Sequence, residues 1–161
     1  MSRLRSRGDP VATANLAASS AVVVDGSHPQ QAVAVFAVGS EVDLHALIGG
    51  LHRMLQAAQC DALDAGRVVT AASELGHNIL RYAGRGQITV RIGSLGARPV
   101  CELVAEDRGP GIADVDRALQ DHFSTGAGLG LGLPGVRRLM DTFDLESQPG
   151  AGTRVVVRRW L

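Results

Sequence analysis

The chain has 161 residues, and its sixteen basic residues, all arginine, balance sixteen acidic ones to a formal net charge of zero. Without lysine it can form no Schiff base, use no lysine base and build no Walker A phosphate loop. A neutral chain gives no composition argument for nucleic acid or an anionic membrane, and no apolar run approaches the about 18 residues of a membrane span.

The length suits one domain with a core of its own. That core has to be aliphatic, because Phe, Tyr and Trp total five. Cys60 and Cys101 show no CxxC spacing and read as two reduced thiols. At the start, Arg3, Arg5 and Arg7 precede an Ala/Val-rich stretch, as in a leader peptide. Thr13, Asn15, Ser19 and Ser20 interrupt it, so residues 1–30 are expected to be a mobile extension and 31–161 the domain.

Ala32–Val38 is a short valine-rich run, the signal of a buried strand. Ser40 with Asp43 three residues on predicts a helix start. Leu44, Leu47, Ile48, Leu51, Met54 and Leu55 then recur at helical spacing over 41–58, weakened by Gly49-Gly50. A second helix is predicted over 61–82, buried through Val68, Ala72, Leu75, Ile79 and Leu80 and ended by Ala83-Gly84. Residues 87–92 and 99–105 read as strands joined by a hairpin loop at 93–98. A Gly-rich polar region with a short helix near 113–120 follows. A third long helix is expected to open at Pro134 and to bury Val136, Leu139, Met140 and Phe143. Residues 144–146 and 153–160 are the last strands, around a turn at 148–152. The hairpins predict an α+β fold, a two-layer sandwich of a mixed, mostly antiparallel sheet with helices on one face.

Three segments carry chemistry. Glu74 and Asn78 lie one helical turn apart and share a face, where a carboxylate and an amide can serve proton transfer and a metal ion. Asp107, Gly109, Gly111 and Ile112 follow directly on a strand, placing an acceptor beside bare backbone that a planar ligand with an amino group can approach. Ser124 and Thr125 lead into Gly126, Gly128, Leu129, Gly130 and Gly132, a row of backbone amides ahead of a helix. Such a row binds anions without any lysine. Gly130 to Gly135 also fits GxGxxG, but polar residues precede it, a proline interrupts it and only about 25 residues follow, which disfavours a dinucleotide fold.

In this order the three segments resemble the N, G1 and G2 boxes of the GHKL ATPase superfamily, and Gly150-Ala151-Gly152-Thr153 resembles its terminal glycine motif. The phrases around Ser73-Glu74-Leu75, Tyr82-Ala83-Gly84, Ala105-Glu106-Asp107, Phe123-Ser124-Thr125 and Gly132-Leu133-Pro134-Gly135-Val136 are similar to the RsbT-type serine/threonine kinases of the stressosome. The resemblance covers about residues 31–161 and implies a Bergerat-type fold that binds ATP and Mg²⁺. Asn78 would hold Mg²⁺ and Glu74 would act as general base. Asp107 would accept from the adenine amino group, with Gly109 and Gly111 letting the base approach. Gly126, Gly128, Gly130 and Gly132 would wrap the phosphates, and Thr153 would approach the adenine. His77, Gly76, Arg108 and His122 depart from the family pattern without removing a ligand.

The resemblance further implies a cytoplasmic kinase that phosphorylates a STAS-domain antagonist protein and then activates a metal-dependent phosphatase. With the neutral charge and the absence of a long apolar run, no nucleic acid and no membrane are expected among its partners. Two alternatives have the same boxes: an anti-sigma factor that sequesters a sigma factor, and a nucleotide-binding regulatory module without transfer activity.

Overall fold

The computed structural model of the protein describes Val22–Val23, residues 31–120 and residues 132–161. Six strands form one sheet: β1 (Val22–Val23), β2 (Ala32–Val38), β3 (Gly86–Leu95), β4 (Arg98–Asp107), β5 (Thr142–Gln148) and β6 (Gly152–Trp160). Their spatial order is β1-β2-β3-β4-β6-β5, and every described pairing is antiparallel. Helices α1 (Glu41–Ala57), α2 (Ala62–Asn78) and α4 (Gly132–Leu139) contribute to the core on one face, and α3 (Val115–Ala118) is a single turn. The expected α+β two-layer architecture is borne out. Within the stretch read as an extension, Val22–Val23 pairs with β2 at Val33 and Ala34; the rest of residues 1–30 lies outside the described residues.

Strand alternation fixes which face is covered. Ala34, Phe36 and Val38 of β2 point the same way as Ile88, Val90 and Ile92 of β3, Cys101, Leu103 and Ala105 of β4, and Val155 and Val157 of β6. Leu44, Leu47, Leu51 and Leu55 of α1 and Val68, Ala71, Ala72 and Leu75 of α2 close over them. Each such leucine contributes about 1.5–3 kcal/mol on burial. The opposite face carries ion pairs instead. Glu102 takes Arg91 and Arg158, each at 2.7 Å, and Glu106 takes Arg154 at 3.2 Å.

The predicted caps form. Ser40 Oγ accepts from Asp43 N at 3.2 Å, and Asp43 Oδ2 accepts from Gly39 N at 3.0 Å, a reciprocal cap for α1. Two glycines that look like helix weaknesses are packing positions. A Cβ on Gly50 would run into the Phe36 ring, and one on Gly76 into Leu44 Cδ1. Gly76 is therefore a place where α2 takes a side chain of α1 directly against its backbone, and the local helix cost of about 1 kcal/mol permits that contact.

Three boundaries differ from expectation. The second helix is α-helical only to Asn78; residues Ile79–Ala83 form a π turn, closed by Gly84 at φ +75° with its N–H on Ile79 O. The residues at 93–98 are not a loop: β3 and β4 pair down to Leu95 and Arg98, leaving Gly96 (φ +64°) and Ala97 to turn the chain. The third helix is shorter and already helical at Gly132, so Pro134 sits in its first turn, where no N–H is needed. Val136 and Met140 are buried and Leu139 partly so, but Phe143 belongs to β5, opposite Val157. Spacing alone could not separate that phenylalanine from a helical i+3 partner of Met140. The chain leaves the helix at Asp141, whose N–H donates to Arg158 O and whose carboxylate takes Trp160 N and Arg159.

Candidate functional site

A cavity of about 610 Å³ opens between the end of α2, the start of α4 and the ends of β4 and β6. Glu74, Asn78, Asp107, Gly111, Ile112, Gly132 and Thr153 all line it, so the three separated segments converge. Leu75, Ile79, Ala105 and Val155 supply apolar wall, and Glu41, His77, Arg81 and Tyr82 also line it. Ser124, Thr125, Gly126, Gly128, Leu129 and Gly130 lie outside the described residues.

At one end, the Glu74 side chain is buried, 4% exposed. Its Oε2 accepts from the Gly132 amide at 3.0 Å, tying α2 to the first residue of α4. Its Oε1 is buried with no hydrogen-bond partner among the described residues. A buried polar atom without a partner is costly, and such atoms persist chiefly where a ligand or water completes them. Asn78 lies one turn further on, at the point where the α-helix passes into the π turn. Such single-turn widenings are frequent at functional sites. His77 Nδ1 is 2.8 Å from Ser73 O, and since a carbonyl only accepts, Nδ1 is the donor. Arg81 stacks over Tyr82 at 5.3 Å.

At the other end, Asp107 closes β4 directly opposite Thr153 of β6. Asp107 Oδ1 accepts from Gly109 N at 2.8 Å, which fixes the carboxylate and turns the chain. The glycines there serve the protein's own packing. A Cβ on Gly109 would meet Ala83, one on Gly111 (φ +71°) would meet Gln148 O, and one on Gly152 (φ +88°) would meet Asp107 O. Gly109 stands behind Asp107 and does not line the cavity. Gly150 N donates to Pro110 O at 2.7 Å and Ile112 N to Ser147 Oγ at 2.8 Å, locking the turn after β4 onto the β5–β6 hairpin. Ser147 was missed in the sequence. Its signal was there: a three-residue turn at 149–151 puts it opposite Thr153.

Charge shifts gather on the ion-pair networks. The Arg159 guanidinium beside Asp64 holds that carboxyl below the usual range, aided by Arg67. Burial pushes the Glu102 carboxyl up, but the hydrogen bonds from Arg91 and Arg158 outweigh it, leaving the group low. Burial pushes the Cys101 thiol up to about 12 and raises that of Cys60 too, so neither is an activated thiolate. Both cysteines are free. Among the described residues no cluster of three or more His, Cys, Asp or Glu could hold a metal, and no helix is long and apolar enough to cross a membrane.

A cavity bounded by an α2 carboxylate and amide, a strand-end aspartate and glycine turns is the arrangement expected of a Bergerat-type ATPase. Residues 63–160 match the histidine kinase-, DNA gyrase B- and HSP90-like ATPases, and the chain belongs to that family. It is 48% identical over 99 residues to the serine/threonine-protein kinase RsbT of Bacillus subtilis, covering 62% of this chain and 74% of that protein. It is 33% identical over 100 residues to an anti-sigma F factor of Caldanaerobacter subterraneus subsp. tengcongensis, covering 58% and 68%. Among solved structures it resembles the RsbU and RsbW domains of a Mycobacterium tuberculosis protein (18% identity, TM-score 0.53), covering 78% of this chain and 32% of that one. It also resembles the SiaB-SiaC complex from Pseudomonas aeruginosa (18% identity, TM-score 0.51), covering 79% and 89%. At that identity the structures speak for the fold alone. The expected GHKL membership and the serine/threonine-protein kinase class are borne out.

Proposed function

We propose that the chain transfers the γ-phosphate of ATP to a serine or threonine hydroxyl of a STAS-domain antagonist protein in the cytoplasm. The added charge then switches partners and frees the kinase to activate a metal-dependent phosphatase. The observation that carries this reading is the convergence of Glu74 and Asn78 with the Asp107–Thr153 pair in one cavity.

The residues divide the work. Asp107 accepts from the adenine amino group, while the apolar wall of Ala105, Ile112 and Val155 takes the ring. The phosphates lie toward the N-terminus of α4, where the helix dipole favours negative charge. Glu74 takes the proton of the attacking hydroxyl through its unpartnered Oε1. Mg²⁺ suits the donor set, since it needs only one or two side-chain oxygens besides phosphate and water. Asn78 would supply one such oxygen, and the ion would neutralise charge on the transferring group. With backbone amides and a metal at the phosphates, the absence of lysine is no obstacle.

Incubation with γ-labelled ATP, Mg²⁺ and a purified STAS-domain partner tests the reading. Label on a serine or threonine of the partner is expected; ATP binding without any transfer would overturn it. The similarity to anti-sigma F factors supports a second reading, in which the same fold sequesters a sigma factor. Co-purification with a sigma factor and with no STAS protein would favour it.

A further inference from the structure

The Ser147 hydroxyl has three polar neighbours. Ile112 N lies at 2.8 Å, Gly152 O at 2.9 Å and Thr153 Oγ1 at 2.9 Å. A hydroxyl offers one proton and two lone pairs. The backbone N–H can only donate and the backbone carbonyl can only accept. The Ser147 proton therefore goes to Gly152 O, one lone pair takes the Ile112 N–H, and a lone pair is what remains for Thr153. The Thr153 hydroxyl must be the donor in that contact. Its proton points away from the cavity that it lines, and only oxygen lone pairs are left for a ligand.

Directly across the β4–β6 ladder stands Asp107. Its Oδ1 is taken by Gly109 N, and its Oδ2 carries no hydrogen bond from the described residues. A carboxylate accepts only. The two side chains at this end of the cavity thus present an edge of acceptors without a donor.

We propose that Ser147 is a specificity-determining positioning residue. By holding the Thr153 proton out of the cavity, it makes the Asp107–Thr153 edge admit a purine with a 6-amino group and reject one with a 6-oxo group. A 6-oxo oxygen there would meet lone pairs and lose its own hydrogen bond, and sites built for a particular hydrogen-bond pattern discriminate strongly on that ground. Ser147 touches no ligand; it acts through Thr153. The inference rests on the reading of this cavity as the ATP site.

The test is calorimetric binding of ATP and of inosine triphosphate, its 6-oxo counterpart, to the full chain and to Ser147→Ala. The wild type is expected to favour ATP. In Ser147→Ala the Thr153 hydroxyl is free to turn its proton into the cavity, so the preference should narrow by about tenfold. A purely structural role would weaken both nucleotides by one factor and leave the ratio unchanged, which overturns the proposal. The double variant Ser147→Ala/Thr153→Val should lose the gain in inosine triphosphate binding; a gain that persists also overturns it. If Ser147→Ala does not fold, Ser147→Cys is read the same way, since it too removes the oxygen that holds the Thr153 proton. A wild type that binds no ATP is a different failure: it removes the ATP reading and this inference with it.

Discussion

The two ends of the cavity are built differently. The Asp107–Thr153 end, the base end, is braced by its own backbone and side chains: Gly109 holds Asp107 Oδ1, Ser147 holds Ile112, Gly152 and Thr153, and three glycines pack against neighbouring chain where no Cβ would fit. The α2–α4 end is tied by one described side-chain bond, Glu74 to Gly132, and leaves a buried carboxylate oxygen without a partner among the described residues. One end has its geometry fixed by the protein alone; the other holds a buried acceptor that a ligand can complete. Recognition can thus be preformed, while chemistry waits for the substrate that supplies the missing contacts.

Substitutions at the two ends should therefore fail differently. The largest effect belongs to Glu74→Gln. General-base catalysis contributes about 10²–10⁴-fold, so the transfer rate should fall by that order while ATP affinity holds. A rate within about threefold of wild type in a single-turnover assay would remove Glu74 from the chemistry. Asp107→Asn comes next. Losing a hydrogen bond to a charged group should weaken ATP binding by about 10–150-fold, measured by calorimetry. Gly152→Ala probes how rigid the base end is. At φ +88° and against Asp107 O, the added methyl should cost about 1–3 kcal/mol in denaturant unfolding. Full stability would mean that the turn yields easily and that the base end is not over-determined.

The smallest effect concerns pH and lies outside both ends. Asp64 and Glu102 have carboxyls held below their unfolded values. Stability from such groups is present above the unfolded pKa and is lost as pH falls through the folded one. The protein should lose stability below about pH 4, and Glu102→Gln should flatten that loss without changing the ATP affinity. An unchanged acid midpoint would assign the loss to other carboxylates.

Much of this was legible in the chain. The Ser40 cap, the leucine stripe of α1 and the alternation of β2 are local signals, and they hold. Glu74 and Asn78 at i and i+4 had to share a face, and Asp107 at a strand end had to sit beside its glycines. What was not legible depended on distant contact. Gly76 and Gly50 look like weaknesses until Leu44 and Phe36 are seen against them. Phe143 fits a helix by spacing, and only the capture of Asp141 by β6 moves it to a strand. Ser147 has no motif; its role comes from register, which a turn length decides. The π turn after Asn78 leaves no sequence signal distinct from an ordinary helix end.

The most direct test of the division between the ends measures two parameters, the ATP dissociation constant and the single-turnover transfer rate at saturating ATP, for Glu74→Gln and Asp107→Asn side by side. The expected result is a crossed pattern: Glu74→Gln loses rate and keeps affinity, and Asp107→Asn loses affinity and keeps most of its rate. If both variants move the same parameter, the two ends do not act separately and the account is contradicted.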